Sequence, residues 1–183
     1  VLVWKYLLPA MQVVNPMENS VITEKLQQKL AALALPLPSG GNPSPLVTEI
    51  SGKTLKLKPN DNQIETLSFD FKADACRITI REGGKDYPLD YGSGKWIEGE
   101  TDRPGPNLLK QAKAHYVGLP PAKIAGCYNW KDEKTLELVL RYIESPHTEK
   151  ITCIFDKNKI SVKVQPSLLF GADQPATEGM WVN

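Results

Sequence analysis

The amino-acid sequence predicts a mainly β fold, an antiparallel meander closed into a barrel or a strongly curved sheet, preceded by one or two N-terminal helices. Three observations predict it. From Leu46 onward, apolar residues recur with a period of two, the spacing of half-buried strands. Polar and glycine-containing turns interrupt the pattern every ten to thirteen residues or so. No strand–helix–strand alternation appears, which argues against a parallel sheet.

The first forty residues read differently. VLVWKYLL, from Val1 to Leu8, is apolar on every face and is interrupted by Pro9. Asn19 and Ser20 are good helix caps for the stretch from Val21 to Leu35, where Ile22, Leu26, Leu30 and Leu33 form one stripe. Pro36 and Pro38 end that helix, and SGGNPSP follows as a flexible connection. Val1–Met11 lacks the basic start and small-residue cleavage site of a signal peptide, so it reads as a start drawn inside a longer protein.

The strands follow in order. Ile50, Leu55 and Leu57 open the alternation, and Ile64, Leu67, Phe69 and Phe71 continue it. Cys76, Ile78 and Ile80 lead to Gly83-Gly84, a pair that suits a tight hairpin because both residues tolerate positive φ. Tyr87, Leu89 and Tyr91 return. A long irregular stretch is expected from Gly92 to Pro121. Strands are then expected over Ile124–Trp130 and Thr135–Glu144, and around Ile151–Phe155 and Ile160–Val164. The chain thus divides into a helical segment and linker over 1–45, a β domain over 46–170 and a tail over 171–183.

Bulk properties exclude more than they assign. Charged residues make up 23% of the 183 residues and the net charge is +1, which gives no electrostatic case for nucleic acid or an anionic membrane as partner. No apolar run approaches the roughly 20 residues of a membrane span. The three cysteines, Cys76, Cys127 and Cys153, are too few and too widely spaced for a disulfide framework or a zinc site. Cys76 and Cys153 share the phase of inward apolar residues. Cys127 and Cys153 lie on strands flanking a common neighbour, about 9.5 Å apart, so all three are expected as free thiols.

The sequence carries none of the common reactive motifs. No serine has a lysine three positions on, and around Ser93 the sequence YGSGK lacks the first glycine of a nucleophile elbow. Ser51-Gly52-Lys53-Thr54 has Val47 where a phosphate loop needs glycine, and a strand rather than a helix follows. The two histidines, His115 and His147, fall in loop or turn contexts and are expected at the surface. No catalytic residue, metal ligand or cofactor is therefore assigned. The aromatic residues Trp96, Trp130, Tyr87, Tyr91 and Tyr116 are the candidates for a ligand or partner surface, although large rings at strand ends more often complete a core.

The order of several segments carries a resemblance: WKYLLPAM, LALPLP, ISGKTLKLKPND, SFDF, GKWIEGET, AGCYNW and LRYIESPHTEKITCIFD. Together they resemble the C-terminal extension of bacterial serine hydrolases related to β-lactamases and penicillin-binding proteins. The resemblance implies a non-catalytic auxiliary domain, joined by the helical segment to an upstream catalytic domain that carries the Ser-x-x-Lys nucleophile. It further implies a setting in the bacterial envelope or periplasm. Two other readings stand beside it. Some eight antiparallel strands in a lipocalin-like barrel can enclose one small apolar ligand. Alternatively, the aromatic loops bind cell-wall glycan or peptide.

Overall fold

The structure is a computed structural model that describes residues 3–7, 20–40, 44–106, 111, 115–156, 159–167 and 175–182. The chain divides into two compact units, Val1–Pro36 and Leu37–Asn183. In the first, Val3–Leu7 forms one wide helical turn and α1 spans Ser20–Ala31. The helix ends four residues before the expected Leu35. A proline ring clashes with the carbonyl four positions back, so Pro36 bars a regular turn that includes Ala32. The apolar stripe of Ile22, Leu26 and Leu30 lies exposed on α1.

The second unit is built from α2 (Leu46–Ile50) and ten strands among the described residues. These are β1 (Thr54–Leu57), β2 (Ile64–Phe71), β3 (Ala75–Glu82), β4 (Lys85–Ser93), β5 (Ile97–Thr101), β6 (Ala122–Trp130), β7 (Thr135–Tyr142), β8 (Thr148–Asp156), β9 (Lys159–Pro166) and β10 (Thr177–Val182). Each of β2–β4 and of β7–β10 pairs antiparallel with its predecessor, and β10 pairs antiparallel with β1. A two-residue parallel contact, Gly92 to Cys127 and Ser93 to Tyr128, joins β4 to β6 and closes a ring of nine strands. β5 lines the same edge of β6 further along, from Ile97 opposite Gly126 to Thr101 opposite Ala122. Gly126 makes the seam possible, because a side chain there would run into the Asp90 carbonyl of β4.

The predicted alternation is present. Leu67 and Phe69, Cys76, Ile78 and Ile80, Leu136, Leu138 and Leu140, and Ile151, Cys153 and Phe155 are buried on inward faces. The Gly83-Gly84 turn has φ of 58° and 77°, as the hairpin requires. All three cysteines are free and buried.

Three expectations need correction. Leu46–Ile50 is helical rather than the start of a strand. Pro45 fixes a helical φ, and Ser44 Oγ accepts the Leu46 N–H while donating to the Glu133 carbonyl; Ile50 is thereby buried. The stretch from Gly92 to Pro121 contains β5, which lacks apolar alternation because its side chains are mostly exposed. Finally, the stretch 171–183 contains β10, a barrel strand rather than a tail. Its sequence TEGMWV hides its phase, since the inward position opposite Leu57 is occupied by Gly179.

One end of the barrel is filled with rings. Phe155 and Trp181 stack with centroids 6.0 Å apart, Phe69 meets both edge-on, and Trp130 lies 6.0 Å from Phe155 and 6.3 Å from Phe71. Outside, Glu178 of β10 bridges Lys58, just past β1, and Lys159 of β9 at 2.6 and 2.8 Å.

Trp181→Ala is expected to lower stability by about 3 kcal/mol in urea unfolding, because it removes a ring from this cluster. A loss near zero would mean that β10 is not part of the folded barrel. Burial pushes the Cys153 thiol up to about 12 and raises Cys76 and Cys127 as well. A thiol reagent at pH 8 should therefore label no cysteine in the native protein and all three after unfolding. Rapid native labelling of any one would place it outside the core.

Candidate functional site

The end of the barrel opposite the rings is polar. The alternation that buries Cys76, Ile78 and Ile80 on β3 carries Glu82 inward at the end of the strand. On β8 the phase of Ile151, Cys153 and Phe155 does the same for Glu149, and on β7 that of Leu136, Leu138 and Leu140 does so for Tyr142. Arg103 enters from the segment after β5, its N–H donating to Thr101 Oγ1 at 3.1 Å. Its Nε donates to Glu82 Oε2 at 2.8 Å and its Nη1 to Glu149 Oε1. All three charged groups are buried: Arg103 is 3% exposed, Glu82 8% and Glu149 5%.

Burial works against the charge of the Arg103 guanidinium, but Glu149 and then Glu82 outweigh it and hold its pKa above the ordinary arginine value. Tyr91 of β4 and Tyr142 face the same charges. For both, burial is the main effect and Glu149 adds to it, raising their pKa values far above the phenol range. Each is therefore a neutral hydroxyl that can donate or accept a hydrogen bond. Near the Tyr142 hydroxyl the chain passes closely, and a Cβ on Gly105 would stand 2.8 Å from it.

The cluster is not internally satisfied. The Tyr91 hydroxyl and His147 Nδ1 are buried without a hydrogen-bond partner among the described residues, and the Tyr142 hydroxyl lies beside the Arg103 guanidinium. His147 corrects an expectation, for it is 6% exposed rather than at the surface. It sits two residues before Glu149, in the inward phase of β8, and its carbonyl accepts the Tyr142 N–H.

The five aromatic candidates do not form one surface. Tyr91 and Trp130 are core residues, the first reaching the polar cluster and the second sitting in the ring-filled end. Tyr87 is half-buried at the polar end, where burial and then Glu82 raise its pKa. Trp96 is half-buried under the Arg141 guanidinium, 5.3 Å from its ring centre. Tyr116 is exposed. No sequence motif points to Arg103, Glu82 or Glu149, whereas Tyr142 is recognisable as an inward aromatic residue of its strand. A signal existed for the glutamates, since each prolongs an apolar inward series by one step of two. None existed for Arg103, which lies in an irregular segment.

At the other end, a cleft of about 300 Å³ runs between α2 and the barrel rim, lined by Leu46, Ile50, Lys134, Phe155, Ile160 and Trp181 among others. Among the described residues, no helix is long and apolar enough to cross a membrane, and no group of three or more His, Cys, Asp or Glu is placed to hold a metal.

The fold defines a class: a closed, mainly β barrel of the lipocalin and fatty-acid-binding-protein type, with a few N-terminal helices. Among solved structures, the chain is similar to a Schistosoma mansoni fatty acid binding protein in complex with arachidonic acid, with a TM-score of 0.50 and 11% identity over 75% of this chain and 98% of that one. A fatty-acid-binding protein from Drosophila melanogaster brain tissue gives a TM-score of 0.45 and 12% identity over 72% and 98%. At 11% identity the likeness to the Schistosoma mansoni protein shows a shared fold and nothing about what is bound. No family model and no curated protein matches the sequence.

Arg103→Met leaves two buried carboxylates facing each other without a cation. It is expected to cost about 3–5 kcal/mol in urea unfolding. Glu149→Gln should cost clearly less, because Glu82 still holds the guanidinium. Equal or reversed losses would show that the three side chains do not act as one buried network.

Proposed function

We propose that the chain is a binding protein whose barrel encloses one small, predominantly apolar molecule. The observation that carries this reading is the buried polar group at one end of a mostly apolar interior, where Tyr91 Oη and His147 Nδ1 lack partners beside Tyr142 and the Arg103 cluster. Leaving a buried donor or acceptor unpaired costs about 1–3 kcal/mol, so two in one place favour an occupant that pairs with them. The apolar strand faces supply the wall for the rest of that occupant. The similar fold of a protein solved with arachidonic acid supports the same class of cargo.

A neutral apolar fluorophore such as 1-aminoanthracene should bind with one-to-one stoichiometry and a blue-shifted emission, and Ile78→Trp, which fills the wall with a ring, should abolish that signal. No saturable signal at tens of micromolar protein (about the weakest range of interest,) would sink the proposal.

A second reading, an auxiliary domain of a β-lactamase-related serine hydrolase in the bacterial envelope, is favoured by one observation, the exposed apolar stripe of α1. Under it, a catalytic domain of that class should co-elute with this chain, and Leu26→Glu with Leu30→Glu should abolish the complex. Both readings allow a ligand inside the barrel.

A further inference from the structure

We propose that the polar end of the barrel receives the head group of a cationic amphiphile, a long-chain primary amine, in preference to a carboxylate. This rests on the binding reading above and adds the charge and chemistry of the ligand's polar end.

The argument begins with the arginine. A lone buried guanidinium would attract an acid, but Arg103 already gives Nε to Glu82 and Nη1 to Glu149. An incoming carboxylate would have to share that guanidinium with two like charges in a water-poor interior, where repulsion is strong. The formal charge of the three side chains is −1, from one guanidinium and two carboxylates. One ammonium brings it to zero.

Hydrogen bonding points the same way. An ammonium carries three donors and no acceptor. Its neighbours here would be the Tyr91 hydroxyl, buried without a partner, the Tyr142 hydroxyl beside Arg103, which keeps a second lone pair, and His147 Nδ1, which accepts when the ring proton sits on Nε2. The hydrocarbon chain would have to displace the packing of inward residues such as Ile78, Leu138 and Ile151, which are 0–1% exposed. The whole chain carries a net charge of +1, so nothing in its overall field draws cations, and any preference for an amine must arise locally.

The test uses the intact chain with bound 1-aminoanthracene, displaced at pH 7.4 by decylamine, decanol or decanoate below their micelle concentrations. Decylamine should displace the probe at least about tenfold more tightly than decanol, with decanoate the weakest of the three. Glu149→Gln should shrink the advantage of amine over alcohol to about threefold or less while leaving decanol unchanged. Tyr142→Phe, which keeps every charge, should weaken decylamine by a few fold with the same unfolding transition as the parent. Glu178→Gln, on the outer surface, should change none of the three.

Decanoate binding as tightly as decylamine would overturn the head-group assignment and leave the barrel-binding reading standing. So would decanol matching decylamine, or Glu178→Gln acting like Glu149→Gln. Failure of the fluorophore itself to bind would overturn both.

Discussion

Where Gly92 and Ser93 of β4 meet Cys127 and Tyr128 of β6, and where β10 docks between β9 and β1, the sheet loses its free edges and becomes a ring. The first junction is held by only two residue pairs and depends on Gly126 letting the two backbones approach. Once the ring is closed, every second residue of each strand faces a space that water does not freely share. An inward apolar residue then contributes burial, and an inward polar residue must find a partner. The core, the arginine cluster and the unpaired Tyr91 hydroxyl are all consequences of that closure.

The two ends of the ring meet this constraint in different ways. At the α2 end it is met with aromatic surface: Phe69, Phe71, Trp130, Phe155 and Trp181 lie within 6.5 Å of one another in successive ring pairs. At the other end it is met with charge. Arg103, brought in by the chain after β5, stands between carboxylates that β3 and β8 carry inward. A buried ion network of this kind is seldom the most stable filling for a core, since apolar residues of similar volume do as well or better. Its presence beside the buried Tyr91 and Tyr142 hydroxyls gives the interior a direction, apolar along most of its length and polar at one end. An amphiphile has the same polarity.

The exposed face of the barrel has a simpler electrostatic pattern. Arg77 pairs with Asp90 and Arg81 with Asp86 and Glu65 across neighbouring strands, and Glu178 ties β10 to Lys58 and Lys159. The Glu178 carboxyl is held down at about 2, by Lys159 first and then Lys58. A depressed carboxyl pKa means that this contribution is fully present above the ordinary glutamate range and fades as the pH falls toward 2. Being solvent-exposed, the bridges fix strand register more than they add stability.

The sequence alone determined the class of fold, because two-residue alternation in Cys76–Ile80, Leu136–Tyr142 and Ile151–Phe155 leaves no other way to bury one face of so many strands. It determined the Gly83-Gly84 hairpin and the burial of Cys76 and Cys153 for the same local reasons. It left a trace of the site in Glu82 and Glu149, charged residues standing in apolar phase. Tertiary structure decided the rest. Gly179 at the inward position of β10 carries no side chain to mark its phase, so only pairing with β1 and β9 reveals that strand. Arg103 lies in a segment without periodicity, and nothing nearby in sequence predicts its partners, which are 21 and 46 residues away. Ring closure sets those meetings, and closure depends on pairings between residues far apart along the chain.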